Sequence, residues 1–412
     1  MAKTIAILAT LDTKGAEAAF LKAHFAQRGF RPLLLDLGLL DEPAASPDIS
    51  RDTVAEAANG SVPALLASSR DEAMERMGTG AGILLKELSD QGTLHGVIGL
   101  GGNQGTAMAC RAMQALPLGL PKVMVSTVAS GNMRPYIGAK DIATFFAVAD
   151  LFGGPNPISR SILTQAAAAL SGMLLWGEQL PAHAGTPLVA ITALGNTHPA
   201  VARCLDLVAA EGWCGVTFHA SGASGSAMEE LIEAGTIDAV LDLTPHELVG
   251  EVLGHDIYTP VRSGRLTAAG RRGIPQVVST GGLEYYCLGP KATIPPELQD
   301  RVITMHNPVN ANVMLTADEM SRLGRAMADR LNTSTGPVSL MLPLKGWSEY
   351  GREEGPLWNP KGRAALAATL KASLRPHVAL VELDVHINDP PFAEACIARL
   401  GTMLKGPGVP SR

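Results

Sequence analysis

Lys3-Thr-Ile-Ala-Ile-Leu-Ala-Thr-Leu11, running into Asp12-Thr-Lys-Gly15, is the stretch on which the fold turns. A short unbroken apolar run reads as a strand buried on both faces. Gly15–Arg28 then reads as an amphipathic helix and Pro32–Leu37 as a second strand. A strand, a helix and a strand in that order are the unit of a parallel α/β sheet. The pattern continues with a helix near Ala73–Leu88, a strand at Gly96–Gly99, a helix at Thr106–Ala115 and a strand at Lys122–Thr127.

The second half repeats the first. Thr186–Ala193 reads as a strand and Pro199–Glu211 as a helix, and Gly212-Trp213 mirrors Gly29-Phe30 before a strand at Gly215–His219. Thr186 stands to Lys3 as Gly212 stands to Gly29, so the opening units are in register. Asp238–Asp242 echoes Gly96–Leu100, and Pro275–Thr280 echoes Pro121–Thr127. The first half carries an extra stretch between Leu40 and Leu88, broken by Pro43, Pro47, Gly60 and Pro63. Leu340–Leu344 and Val378–Val381 read as further strands, with a long loop at Gly346–Lys361 of the kind that forms a lid or an interface. The expected fold is α/β: two Rossmann-like, doubly wound domains with mainly parallel sheets, structurally duplicated, holding a ligand in a cleft between them. The expected division is residues 1–182 and 183–412, the N-terminal domain binding nucleotide and the C-terminal domain serving a substrate or partner.

Composition excludes several classes. The chain has 412 residues, with 33 Lys and Arg against 39 Asp and Glu, for a net charge of −6 and no basic run. Nucleic-acid binding therefore has no electrostatic footing. At 46% hydrophobic residues the chain can bury substantial cores. Five cysteines without a C-x-x-C pair suggest neither a zinc ribbon nor a secreted disulfide framework. The Ala-rich Ile162–Trp176 is short for a membrane span, and Ile5–Leu11 lacks a signal-peptide cleavage pattern. The expected address is the cytoplasm, with no membrane partner.

Candidate chemistry gathers at the ends of the expected strands. Thr10-Leu-Asp-Thr-Lys-Gly15 opens a helix, where free amides and the positive helix end attract an anion and Lys14 adds a charge. The other reading of the same residues is a helix cap made by Asp12 or Thr13. Gly99-Leu-Gly-Gly-Asn-Gln-Gly-Thr106 is a second such turn, glycine-rich enough for close backbone approach to a ligand. It resembles the glycine loop of phosphofructokinases and NAD kinases, but Asn103-Gln104 stands where those have a single acid. Ser126–Asn132 and Ser279–Gly282 read equally as donors into a cleft or as ordinary turns. Phe218–Ser226 reads as a further anion or substrate cradle, and His306-Asn307 as polar groups near it. Asp384, His386 and Asp389 fall at no recognised ligand spacing, so no metal site is assigned. Walker A, G-x-G-x-x-G after the first strand, H-E-x-x-H and G-x-S-x-G are absent, and Cys287 reads as structural.

Eight segments occur in one order: Leu11-Asp-Thr-Lys14, Val97-Ile-Gly-Leu-Gly-Gly102, Pro121–Gly131, Tyr136-Ile-Gly138, Ala227-Met-Glu-Glu-Leu-Ile232, Gly273–Ser279, His306-Asn-Pro308 and His386-Ile-Asn-Asp389. Together they resemble the ATP-binding domain family of the tomato mosaic virus resistance protein and its uncharacterised bacterial relatives, over nearly the whole chain. The resemblance implies ATP binding in the first domain and a homodimer. Carried over by residue, it points to Asp12, Thr13 and Lys14 at the nucleotide, the Gly101-Gly-Asn-Gln104 loop opposite, Leu39 beyond the second strand, and Arg70. In the plant protein the domain is fused to a barrel related to phosphoenolpyruvate hydrolases, which implies a separately encoded barrel partner here. Where many relatives have Gly-Gly, this chain has Gly254-His255-Asp256.

The expected function is ATP binding. The phosphates would rest on amides of Thr13–Gly15 and Gly102–Gly105, with Lys14 and Arg70 opposing their charge. Asp12 is left to hold Mg2+ or to hydrogen-bond the nucleotide. Catalysis would be phosphoryl transfer to, or activation of, a small oxygen-rich metabolite presented by His219, Ser221, His306 and Asn307. The rival is a nucleotide-gated binding protein with little turnover, dependent on a partner domain.

Overall fold

The computed structural model describes residues 2–178, 180 and 185–405. The chain divides into two units, Met1–Leu180 and Pro181–Arg412. The boundary expected between residues 182 and 183 lies outside the described residues.

Five parallel strands build the first unit: β1 (Thr4–Ala9), β2 (Arg31–Asp36), β3 (Gly96–Gly101), β4 (Lys122–Ser126) and β5 (Ile142–Phe146), in the order β2-β1-β3-β4-β5. Alternate residues of β1 serve opposite faces. Ile5 and Ile7 pack with the Leu11–Ala26 and Pro157–Trp176 helices, whereas Ala6 and Leu8 pack with the Arg70–Asp90 and Asn103–Gln114 helices. Helices on both faces make the sheet doubly wound. The extra stretch folds as two short helices, Arg51–Ala57 and Val62–Ala67. Ser50 and Ser61 cap them and Ser69 caps the Arg70–Asp90 helix, each hydroxyl accepting an amide of the first turn.

The second unit has six parallel strands: β6 (Leu188–Ala193), β7 (Cys214–His219), β8 (Ala239–Asp242), β9 (Gln276–Val278), β13 (Val338–Pro343) and β14 (Val378–Leu383). Their order is β14-β13-β9-β8-β6-β7, which repeats the first sheet and adds β14 at the far edge. The repetition extends to detail. Val97 N–H donates to Pro121 O at 2.9 Å, and Val240 N–H donates to Pro275 O at 3.0 Å. Gly29 and Gly212 both end their helices at positive φ, 81° and 77°. The α/β class with two mainly parallel sheets is as expected.

Three expectations are corrected. A small antiparallel sheet of β10 (Tyr285–Leu288), β11 (Ile303–Asn307) and β12 (Asn310–Met314), in the order β10-β12-β11, was not anticipated. The Gly346–Lys361 loop is no loose lid, because Trp347 is 1% exposed and donates Nε1–H to Pro343 O at 2.8 Å. The Ala-rich segment is longer than expected: Asn156 caps a helix running Pro157–Trp176, long and apolar enough to cross a membrane by length and composition. Its Leu163, Ala166, Ala167, Leu170 and Leu174 instead pack into the core of the first unit. Ala168, Met173, Leu175 and Trp176 of that segment are exposed.

Candidate functional site

In the order β2-β1-β3 the connections leave β1 in opposite directions, and the crevice beyond the strand ends at such a switch point is where doubly wound sheets bind ligands. The first unit has a pocket of about 480 Å³ at that place. It is lined by Thr10, Asp12, Thr13 and Lys14 after β1, Leu37, Leu39 and Leu40 after β2, and Gly102, Asn103, Gln104 and Gly105 after β3. Leu65, Leu66, Ser68, Arg70, Ala73, Met74, Met108 and Phe152 complete the wall. The structure thus brings the expected nucleotide residues other than Gly15 and Gly101 to one cavity.

The two turns are not equivalent. Leu11 already begins the first helix, with Thr10 at its cap, and the Thr13 and Lys14 amides donate to Thr10 O at 3.1 and 2.7 Å. The Leu11 amide donates to Asp36 Oδ1 at 3.0 Å. The expected anion cradle at Thr13–Gly15 is corrected accordingly, since two of its amides are taken within the turn. The helix kinks at Lys14, whose Nζ lies 3.8 Å from Asp150 Oδ1 and 5.6 Å from the centre of the Phe152 ring. After β3, by contrast, Asn103 starts the helix directly, and Gly102 at its cap supplies no side chain to its amides. That helix end is the anion-attracting one.

The glycines of this second turn divide by task. A Cβ on Gly99 would meet Met124 Sδ at 2.7 Å, and one on Gly101 would meet Gly105 Cα at 2.8 Å, so these two serve strand–helix packing. Gly102 and Gly105 meet nothing of the protein closer than 3.7 and 3.5 Å and face the pocket. Tyr136 donates to Asn103 Oδ1 at 2.6 Å, fixing that side chain. With the Gln104 amide oxygen turned toward Arg70, it accepts from Nη1 and Nε at 3.3 and 3.2 Å, which aims the guanidinium at the same helix end. Asp12 Oδ2 accepts the Leu40 amide at 3.0 Å, while Oδ1 is buried with no partner. Burial pushes the Asp36 carboxyl up, against the Gly38 and Leu11 amides that favour its ionised form.

In the second unit the expected cradle at Phe218–Ser226 is corrected. Its amides already hold an anion, for Glu247 Oε1 accepts from Gly222 and Gly225 at 2.9 and 3.1 Å. Ser221 and Asn307 stand outside the pocket; Asn307 Oδ1 accepts the Val309 amide at 2.9 Å and closes the β11–β12 turn. Ser126 is a packing residue, its Oγ 2.7 Å from Thr106 Oγ1 with both buried. His386 is also satisfied locally, Nδ1 accepting from the Asn388 amide and Nε2 donating to Ser348 O.

His219 and His306 do meet, in a cavity of about 160 Å³ beyond the ends of β6 and β7. Asn196, Tyr258, Tyr285, Cys287, Asn310, Asn312 and Tyr350 line it as well. His306 Nδ1 is 2.7 Å from Tyr350 Oη, and Asn196 Nδ2 donates to Tyr285 Oη. Behind Cys287 lie His246 and Asp256, both buried. Burial pulls the His246 ring toward neutrality, but the Cys287 sulfur and Asp256 carboxylate outweigh it and hold its pKa well above 6.5. Burial pushes the Cys287 thiol up, with His246 opposing. Sequence reasoning missed these residues because the pairing of β10 with β12, which brings Cys287 beside Asn312, joins segments separated in sequence.

The chain matches two family models: the N-terminal domain of uncharacterised protein family UPF0261 over residues 3–179 and its C-terminal domain over residues 186–404. A UPF0261 protein of Clostridium tetani is 38% identical over 407 residues, covering 98% of this chain and 100% of that protein. The ToMV resistance protein Tm-1(GCR237) of Solanum lycopersicum is 36% identical over 315 residues, covering 75% of this chain and 41% of its own length. Among solved structures, the UDP-GlcNAc 2-epimerase of Methanocaldococcus jannaschii aligns over 99% of this chain and 94% of its own at 8% identity and a TM-score of 0.20, a level from which no function follows.

Proposed function

The chain belongs to the UPF0261 family, and from that premise we propose that its N-terminal unit binds ATP in the pocket beyond β1 and β3. One observation carries the reading: the uncapped start of the Asn103–Gln114 helix, Arg70 and Lys14 converge on a cavity that also presents an apolar wall of Leu39, Leu40, Leu65, Leu66 and Met74. Amides at a helix start and two cations suit a polyphosphate. Leu39, Leu40, Leu65, Leu66 and Met74 suit the flat face of a base. Mg2+ would arrive with the phosphates and supply charge neutralisation there. The test is calorimetric titration with ATP. Lys14→Ala and Arg70→Ala are each expected to weaken binding about tenfold or more, the scale of a lost charge-assisted hydrogen bond. Affinity unchanged in both variants would remove the nucleotide from this pocket.

With ATP bound, the chain acts as an ATP-dependent enzyme on a small oxygen-rich metabolite, by phosphoryl transfer or activation. The polar cavity around His219 and His306 supports this reading. A second reading, a nucleotide-gated binding protein, is favoured by Asp12, the one carboxylate lining the nucleotide pocket, which holds the Leu40 amide and so is poorly placed as a base. ATP turnover with candidate metabolites, with and without a separately encoded barrel partner, separates the two. We place the chain in the cytoplasm as a homodimer. Its five cysteines are free thiols, and Leu175 and Trp176 are exposed at 55% and 83% as a candidate contact. Sedimentation of Trp176→Glu tests the dimer.

A further inference from the structure

We propose that His246 Nε2, Asp256 Oδ2 and Cys287 Sγ form a three-ligand site for a divalent cation of the zinc class, opening on the cavity of the second unit. The three donor atoms lie within 4.8 Å of one another, and the Nε2–Oδ2 edge is 3.1 Å. Tetrahedral zinc, with bonds of about 2.0–2.3 Å to N, O and S, sets neighbouring donors ~3.3–3.7 Å apart. The triangle is therefore near the size an ion needs.

Its supports are those of a metal site. The other ring nitrogen of His246, Nδ1, lies 2.7 Å from Gly282 O, so it donates there and leaves Nε2 as the ligating atom. Gly282 adopts φ 72°, and a Cβ on it would sit 3.2 Å from that Nδ1, so the glycine is what lets the carbonyl reach the ring. Asp256 Oδ1 is held by the Tyr258 amide at 2.7 Å, which turns Oδ2 toward the ring. Oδ2 also accepts the Cys287 amide at 2.7 Å and keeps a second lone pair. The ligands come from the start of the Glu247–Leu253 helix, the turn after it, and β10, three segments fixed independently by the fold.

Donor chemistry selects the ion. One thiolate, one imidazole and one carboxylate disfavour Mg2+ and Ca2+ and suit zinc, cobalt or ferrous iron. Three protein ligands leave a fourth position, the arrangement of reactive rather than structural zinc. Cys287 lines the cavity, so that position faces it. Asn196 Oδ1, also in the cavity wall, is a buried acceptor with no partner among the described residues, as befits a site that takes a water or hydroxyl donor. Binding forms the metal bonds to His246 Nε2 and Cys287 Sγ and releases the Nε2 proton and the thiol proton to solvent. The proposal shares no residue with the nucleotide pocket and stands whether or not ATP binds.

The test uses the full chain, stripped with chelator and titrated with Co2+ and then Zn2+. One equivalent of Co2+ should bind and develop a thiolate-to-cobalt charge-transfer band, which Zn2+ abolishes by displacement. Cys287→Ser should lose the band while keeping the native circular dichroism, Asp256→Asn should weaken Co2+ at least tenfold, and Cys214→Ser, at an exposed thiol, should change nothing. Should Cys287→Ser fail to fold, X-ray absorption of the zinc-loaded wild type gives the same readout, one sulfur ligand being expected. No saturable binding, a band that survives in Cys287→Ser or vanishes in Cys214→Ser, or a sulfur-free zinc shell would overturn the site.

Discussion

Arg265 Nε donates to Glu247 Oε2 at 2.7 Å, and neither side chain reaches solvent. The same guanidinium reaches Glu229 Oε1 at 2.6 Å and Asp242 Oδ2 at 2.9 Å, so one buried cation serves three acids at the end of β8. Glu247 in turn holds the Gly222 and Gly225 amides that begin the Ala223–Glu233 helix. Removing the cation leaves the buried acids without their counter-charge, a loss of about 3–5 kcal/mol for a broken buried pair. Arg265→Met should lower the free energy of urea unfolding by that amount, and adding Glu229→Gln should recover part of it. A loss below about 1 kcal/mol would show that the acids do not depend on Arg265.

Gly99 and Gly102 should separate stability from binding. Alanine at Gly99 presses on Met124 and on Ala109 Cβ at 2.8 Å, an overpacking expected to cost about 1–3 kcal/mol with ATP affinity retained in the folded fraction. Gly102 has φ −79° and ψ −162°, a backbone any residue adopts. Valine there should leave stability within about 1 kcal/mol and weaken ATP at least tenfold by covering the helix start. Urea melts and calorimetry on the two variants check the split; ATP binding unaffected by Gly102→Val would take the phosphates away from this turn.

The strand–helix turns after Ala9 and Gly101 were legible because a buried apolar run ending in Thr or Gly is a local signal. The duplication was legible for the same reason, through Gly29-Phe30 and Gly212-Trp213. Which turns stay open was not legible. Whether an amide is free depends on acids remote in sequence, Asp36 for Leu11 and Glu247 for Gly222 and Gly225. Phe218–Ser226 reads as a cradle just as Gly99–Thr106 does, yet Glu247 already fills it. Cys287 looked inert because its neighbours His246 and Asp256 come from other elements, brought beside β10 only by the fold.

Asp12 distinguishes a wall-holding role from a metal-holding one. Its Oδ2 fixes the Leu40 amide, and Gly38 packs so close that a Cβ there would lie 2.8 Å from the Asp12 carboxyl carbon. Asn keeps the accepting oxygen and Ala removes it. If Asp12 holds the Leu39-Leu40 wall, Asp12→Asn should bind ATP within about threefold of wild type and Asp12→Ala about 1–2 kcal/mol more weakly. A Mg2+ ligand would instead make both variants lose the Mg2+ dependence of ATP affinity, measured by titration with and without the ion.

Glu284 should make the C-terminal unit more stable in mild acid. The side chain is fully buried; Oε1 accepts from Ser348 Oγ at 2.8 Å and Oε2 has no partner. Burial pushes its pKa up from 4.5 to about 7, with Ser348 and Arg363 opposing. The folded state thus holds a proton that the unfolded chain releases near pH 4.5. The resulting stabilisation is fully present below pH 4.5 and is lost as pH rises through about 7. The shift corresponds to a change on the order of 3 kcal/mol across that window. Glu284→Gln keeps the shape of the protonated acid and removes its titration. Urea unfolding of wild type at pH 5 and pH 8 should differ, and the Gln variant should flatten the difference by raising stability at pH 8. An equal pH dependence in both proteins would mean that Glu284 is ionised in the fold, compensated by Arg363.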